Sequence, residues 1–80
     1  MKKVWEVDIC FQALASDVCL IGADSPEEII ENLNVIFGEK YFGKREINEL
    51  KENSSDRIRE ISGLFTDTPL KILNRWSYYE

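Results

Sequence analysis

A fourteen-residue segment, SPEEIIENLNVIFG, constrains the fold most, because it encodes an amphipathic helix together with both of its ends. Ser25 is a good N-cap, since its hydroxyl can accept a hydrogen bond from a first-turn N–H. Pro26 follows at the first helical position, and Glu28 completes a capping box. Gly38 supplies a left-handed stop. The apolar residues recur at the spacing of one helical face: Ile29, Ile30, Leu33, Ile36 and Phe37. The segment therefore predicts a helix over 26–37 with one buried side.

Two strands are predicted before this helix. Residues 3–12 alternate between two faces, as a half-buried strand does. One face carries Trp5, Val7, Ile9 and Phe11, and the other carries Val4, Glu6, Asp8, Cys10 and Gln12. Residues 13–17 are small or polar and can turn, and the apolar, β-branched segment 18–23 can return as a second strand. We expect an antiparallel hairpin whose face is covered by the helix, because two strands alone are not stable.

From Lys44 onward, the apolar residues fit a second helical stripe, which predicts a helix over 45–64. The stripe consists of Ile47, Leu50, Ile58, Ile61 and, just beyond the helix, Phe65. The polar run at 53–56 could interrupt it, which leaves open one bent helix or two short ones. In the connector before it, Tyr41 and Phe42 are predicted to fold over the core, although two aromatic residues there could instead form a contact site.

The segment 70–78 is predicted as a third strand. Leu70, Ile72, Trp76 and Tyr78 alternate along it with Asn74 on the same face, and aromatic and branched residues favour strands. A helix that begins near Thr68-Pro69 is the alternative. The prediction is a single domain over residues 1–80 of the α+β class, in the order β-β-α-α-β, with a small antiparallel sheet packed on two helices.

The charge balance narrows the class of partner. The 80 residues include 15 acidic and 10 basic side chains, for a net charge of −5. This excess disfavours direct binding to nucleic acid or to an anionic membrane. The apolar run at 18–21 is far shorter than the ~20 residues that span a bilayer. The N-terminal MKKVWEVD has no apolar region of a signal peptide, so we expect a cytoplasmic protein.

The sequence offers little for catalysis. It contains no histidine, which is the commonest general base and metal ligand at neutral pH. Cys10 and Cys19 share a face only in one register of the hairpin, and two thiolates do not complete a zinc site. No glycine-rich phosphate loop occurs, and Ser54 and Ser55 have no base beside them. We expect no enzyme activity, no catalytic residues, no metal and no cofactor.

Two groups of residues are candidates for binding a partner. The first is the aromatic C-terminal segment with Arg75, Trp76, Tyr78 and Tyr79, which are residue types enriched at binding hot spots. Alternatively, Trp76 and Tyr78 close the core. The second consists of Glu49, Glu52, Asp56 and Glu60, which would line one side of a continuous second helix. Basic residues interleave with them, so a solvated mixed-charge face is the simpler interpretation.

The segment VCLIGADSPEEIIENLNVIF resembles the strand-to-helix junction of small β-β-α domains. Such junctions occur in antitoxin domains of the HicB type and in the DpnD/PcfM-like domains of mobile elements. By size, acidity and lack of catalytic residues, the chain is also similar to phage-encoded inhibitors of bacterial defence nucleases, anti-CRISPR proteins among them. These resemblances imply a regulator that binds a protein.

The leading hypothesis is a small protein-binding inhibitor or antitoxin-type regulator of a nuclease or nucleic-acid-processing complex. One alternative is a nucleic-acid-binding regulator that uses Arg57, Arg59, Lys71, Arg75 and the terminal aromatic residues. Another is a structural subunit that pairs with a second copy through a free sheet edge, which includes a possible homodimer.

Overall fold

The computed structural model describes residues 1–9, 15–38 and 42–79, and of residues 15–16 and 77–79 only the backbone. In chain order the elements are β1 (Lys2–Asp8), β2 (Ala15–Ala23), α1 (Pro26–Glu31), α2 (Leu33–Phe37), α3 (Lys44–Glu52), α4 (Ser54–Arg57), β3 (Ile58–Thr66) and β4 (Ile72–Tyr79). This is the predicted α+β class.

The strands form one antiparallel sheet in the order β3-β1-β2-β4. The predicted hairpin is confirmed by the pairing of β1 with β2, in which Trp5 lies opposite Ile21 and Val7 opposite Cys19. Residues 10–12, which were expected to extend its first strand, lie outside the described residues. Because opposed residues share a face, this register fixes which side chains point toward the helices.

The predicted helix over 26–37 is confirmed, with a break at Asn32 that separates α1 from α2. The Ser25 hydroxyl accepts a hydrogen bond from the Glu28 N–H at 3.3 Å, as an N-cap does. The side-chain amide of Asn32 donates to the Glu28 carbonyl at 2.7 Å, which competes with regular helical bonding there. Gly38 ends α2 in the left-handed conformation, with φ of 70°.

The helices cover one face of the sheet, which we call the covered face. Trp5, Val7, Cys19 and Ile21 point into it from the central strands. The core cluster consists of Val7, Ile9, Cys19, Ile21, Ala23, Ile29, Ile30, Leu33, Phe42, Leu50 and Ile58. The ring centroid of Phe42 lies 5.1 Å from that of Phe37, so the connector does close the core. The position of Tyr41 lies outside the described residues.

The predicted helix over 45–64 is wrong beyond Arg57. The chain breaks at Asn53 between α3 and α4, as the polar run suggested, and then continues as β3 from Ile58. Ile58 lies opposite Val7 of β1 and is buried there, so pairing with a distant strand overrides the helical spacing. Phe65, expected in the buried stripe, is a strand residue with 52% of its surface exposed.

The β3–β4 connector crosses the other side of the sheet, which we call the open face. β3 and β4 occupy opposite edges, so the chain must pass over β1 and β2 between them. The Leu70 N–H donates to the Gly22 carbonyl at 2.8 Å, which holds the crossing in place. A Cβ atom at Gly22 would lie 2.3 Å from Cγ2 of Thr66. Glycine at this position therefore permits the close approach.

The last segment forms a strand, as predicted, but its residues do not share one face. Ile72 lies opposite Ile21 on the covered face, whereas Trp76 lies opposite Val18 on the open face. The register shifts between these pairs, at Leu73. An extra residue of this kind moves the following side chains to the other face, and simple alternation over 70–78 cannot show it.

Candidate functional site

The open face carries a partly exposed tryptophan at its β4 edge and a charged pair toward its β3 edge. Trp76 is 36% exposed and lies opposite Val18, which is buried. Toward β3, the Arg59 guanidinium donates to the Glu6 carboxylate at 2.7 Å, which raises the pKa of Arg59 mainly through this hydrogen bond. A partly exposed tryptophan is a residue that another protein can bind.

Arg75 lies on the other side of the sheet from Trp76. Opposite Cys19, it faces the helices and donates to both carboxylate oxygens of Asp17, with Nη2 at 2.6 Å. Its guanidinium carbon lies 5.3 Å from the ring centroid of Phe37. Arg75 therefore holds α2 and β2 together. The backbones at Tyr78 and Tyr79 pair with Ser16 and Ala15, and their side chains lie outside the described residues.

The four acidic candidates do not lie along one helix. Glu49 is in α3 and accepts from Arg57 at 2.9 Å, and Glu60 is in β3 within 3.6 Å of Lys3. Glu52 and Asp56 are exposed, and neither takes part in an ion pair within the described ranges. The structure brings none of them together as the predicted stripe.

The excess negative charge belongs to the helical segment instead. Residues 24–57, the segment that contains all four helices, are called here the acidic helical layer and contain nine acidic and five basic side chains. The other 46 residues contain six acidic and five basic side chains, for a net charge of −1. Because the helices lie on one side of the sheet, most of the excess negative charge belongs to that side.

A shallow groove of about 260 Å³ opens between α1 and the α3–α4 pair. Its floor is the aliphatic side chain of Ile30, which is almost fully buried. Glu27 and Glu31, one turn apart, form one wall, and Lys51 and Ser54 form the other. The two carboxylates outnumber the one ammonium group of Lys51, so the groove keeps a net negative lining, and its apolar floor fits the stem of a lysine or arginine side chain.

The cysteine in the described core is chemically protected. Burial raises the pKa of Cys19 to about 12, and the neighbouring carboxylate of Asp17 adds to the shift. The thiol donates a long hydrogen bond to the Val7 carbonyl, with an Sγ–O distance of 3.8 Å. A thiol of this kind is inert, since the thiolate is the reactive form. Cys10, which the sequence analysis paired with Cys19, lies outside the described residues.

An exposed apolar pair on β3 was missed by sequence reasoning. Leu64 and Phe65 follow Gly63, which has φ of 81° where β3 loses register with β1. The helical spacing predicted a buried position for Phe65. The one available signal was Gly63 itself, because an isolated glycine in a strand marks a bulge.

Within the described residues, no three His, Cys, Asp or Glu side chains converge on a point that could hold a metal ion. No helix in that part of the chain is long and apolar enough to span a membrane. No family model, curated protein or solved structure matches the chain. The functional proposal therefore depends on the surfaces of this protein alone.

Proposed function

We propose that the chain is a non-enzymatic protein-binding module that inhibits or regulates a nuclease or another nucleic-acid-processing complex. The observation that carries the proposal is the separation of charge. The helical segment 24–57 contains nine acidic and five basic residues, and the other 46 residues carry a net charge of only −1. Proteins that bind nucleic acid present basic surfaces, and an acidic layer is complementary to such a surface.

The groove in the acidic helical layer gives this complementarity a local geometry. A partner's lysine or arginine would lie with its stem on Ile30 and its charged head near Glu27 and Glu31. Many nuclease clefts use such side chains to bind phosphates, so occupation of the groove would compete with the nucleic acid. The carboxylates act here as binding groups and perform no proton transfer.

Direct nucleic-acid binding through the C-terminal basic residues is less well supported. Arg57, Arg59 and Arg75 each engage a carboxylate, at 2.9, 2.7 and 2.6 Å respectively. Such pairs must be broken before the guanidinium groups can contact phosphate. Together with the net charge of −5, they favour a protein partner over a nucleic acid.

The test is binding to nucleases with basic clefts, measured by calorimetry and by inhibition of cleavage. Glu31→Lys should weaken binding about tenfold or more, because it places like charges together at the interface. Asp67→Lys changes the net charge equally, at an exposed position in the β3–β4 connector, and should bind as the unmodified chain does. Equal effects of both substitutions, or no complex with any such nuclease, would overturn the proposal.

A further inference from the structure

The two edges of the sheet differ in what they offer to an additional strand. On β3, the register shifts after Glu60, and Gly63 has φ of 81°. Arg59 and Glu60 also place charges of both signs on this edge. Bulges and charged side chains are the devices by which natural sheets prevent edge-to-edge pairing. The β3 edge is protected.

Beyond its register shift at Leu73, the β4 edge has no bulge, and its one charged side chain, Arg75, is paired with Asp17 of β2. From Asn74 to Tyr79 it pairs residue by residue with β2 and no shift occurs. Among the described residues, no strand pairs with its outer side. Its sequence, ILNRWSYY, contains no proline, no lysine and no acidic residue, and it is rich in aromatic and branched side chains. A long regular edge of this composition is a template for another strand.

We infer that β4 pairs antiparallel with β4 of a second copy of the chain, about a twofold axis perpendicular to the sheet. The partner is another copy because symmetric association of identical chains is the commonest mode, and an antiparallel edge pair is self-complementary. The two four-stranded sheets then form one sheet of eight strands, with the helices of both copies on the same side.

Charge selects the register of this pairing. In an antiparallel pair, directly opposed side chains point to the same face of the sheet. An axis between two residues would oppose neighbours that point to different faces, so the axis must pass through a residue. An axis at Arg75 would place two guanidinium groups directly opposite one another, which is destabilising. An axis at Trp76 places each Trp76 beside its counterpart and Arg75 beside Ser77. It also lets positions 73–79 of both copies overlap.

This register explains why a tryptophan stands on the open face at the sheet edge. Trp76 is 36% exposed in one copy, and pairing would bury its remaining surface against the second Trp76. Aromatic cross-strand pairs are among the side-chain pairs that stabilise sheets. The two open faces become continuous, with the tryptophan pair at their centre.

The first measurement is the mass in solution as a function of concentration, by sedimentation equilibrium. The unmodified chain should change from 9.3 kDa to twice that mass as its concentration rises. Trp76→Lys places like charges at the axis and should remain monomeric. Val35→Lys, which adds the same charge at an exposed position of α2, should dimerise normally. A chain that remains monomeric up to millimolar concentration would overturn the inference.

The second measurement tests the register and does not depend on the effect of a charge. In a Cys10→Ser background, Trp76→Cys should form an intermolecular disulfide on mild oxidation, because directly opposed Cβ atoms approach to about 4.5 Å, the upper end of the separation that a disulfide spans. Asn74→Cys, on the same strand and face, lies opposite position 78 and should cross-link far less. Equal cross-linking, or cross-linking of Asn74→Cys alone, would contradict the Trp76 axis.

Pairing through β4 does not require the acidic helical layer, so the two proposals fail separately. Glu31→Lys should leave the monomer–dimer equilibrium unchanged, and Trp76→Lys should leave the groove lined by Glu27 and Glu31 intact. Near-ultraviolet circular dichroism, which reports the packing of Trp5, should show that Trp76→Lys remains folded. If that signal is lost, the Trp76→Lys variant is monomeric because it is unfolded. The disulfide experiment then tests whether the β4 strands pair.

Discussion

The covered and open faces of the same sheet differ in what covers their side chains and in how far those side chains are buried. On the covered face, Val7, Cys19 and Ile21 pack against Ile29 and Leu33 of the helices, and all are nearly inaccessible. On the open face, a short connector covers one end, and toward β4 Val18 is buried whereas Trp76 remains 36% exposed. Stability should therefore depend mainly on the covered face, which leaves the open face available for contacts.

The largest expected effect belongs to the covered face. Leu33→Ala removes a side chain that is 1% exposed in the middle of the core. We expect a loss of about 2–5 kcal/mol in the free energy of unfolding, from lost burial and the cavity left behind. The matched control is Val35→Ala in the same helix, at 74% exposure, for which the change should stay within about 0.5 kcal/mol. Chemical denaturation measures both, and similar losses would contradict the assignment of the core.

The sequence predicted the covered face well because its signals are local. The cap at Ser25, the stop at Gly38 and the stripe that contains Ile29 and Leu33 all lie within one segment, and the structure contains each of them. The adjacent hairpin was predicted from alternation for the same reason. Helices and strands that are specified by neighbouring residues can be predicted from one amino-acid sequence.

The second largest expected effect concerns the packing of the β3–β4 connector on the open face. Gly22→Ala places a methyl group 2.3 Å from Cγ2 of Thr66 and 3.3 Å from the Thr68 carbonyl oxygen. We expect a loss of about 1–3 kcal/mol, as for other overpacked sites. Thr66→Ser in the same chain removes Cγ2 but keeps the hydroxyl that accepts from the Thr68 N–H. It should recover most of the stability, and an additive double variant would refute the proposed contact.

The open face was poorly predicted because its determinants are distant in sequence. Ile58 becomes a strand residue by pairing with Val7, about fifty positions earlier, and its own spacing fits a helix. The register shift at Leu73 places Ile72 and Trp76 on opposite faces, although their even spacing predicts one face. The same holds for the candidate site, since the groove joins Glu27 to Lys51 through tertiary packing alone.

The Cys19 thiol on the covered face should make stability depend on pH. Burial raises the pKa of Cys19 from 9.0 to about 12, so the folded chain keeps the thiol proton where the unfolded chain loses it. Stability from this group is complete below pH 9 and declines as pH rises toward 12, by on the order of 1 kcal/mol at pH 10. Cys19→Ala should lack this part of the decline, in unfolding measured from pH 8 to pH 10. Parallel curves for the two chains would show that the thiol is not protected.

The smallest expected effect belongs to the ion pair on the open face. Arg59 donates to Glu6 at 2.7 Å, but its side chain is 71% exposed, so salt should screen the attraction. Arg59→Ala should lower the unfolding midpoint slightly in dilute buffer, and the difference should vanish at high ionic strength.

Arg45→Ala provides the control for that measurement, because Arg45 is an exposed arginine in α3 with no ion pair within the described ranges. It should show no such dependence on salt. A loss for Arg59→Ala that persists at high salt would mean that the Glu6–Arg59 pair is shielded from solvent. The open face would then be stabilised by groups shielded from solvent, as the covered face is, and the two faces would not differ in the way described above.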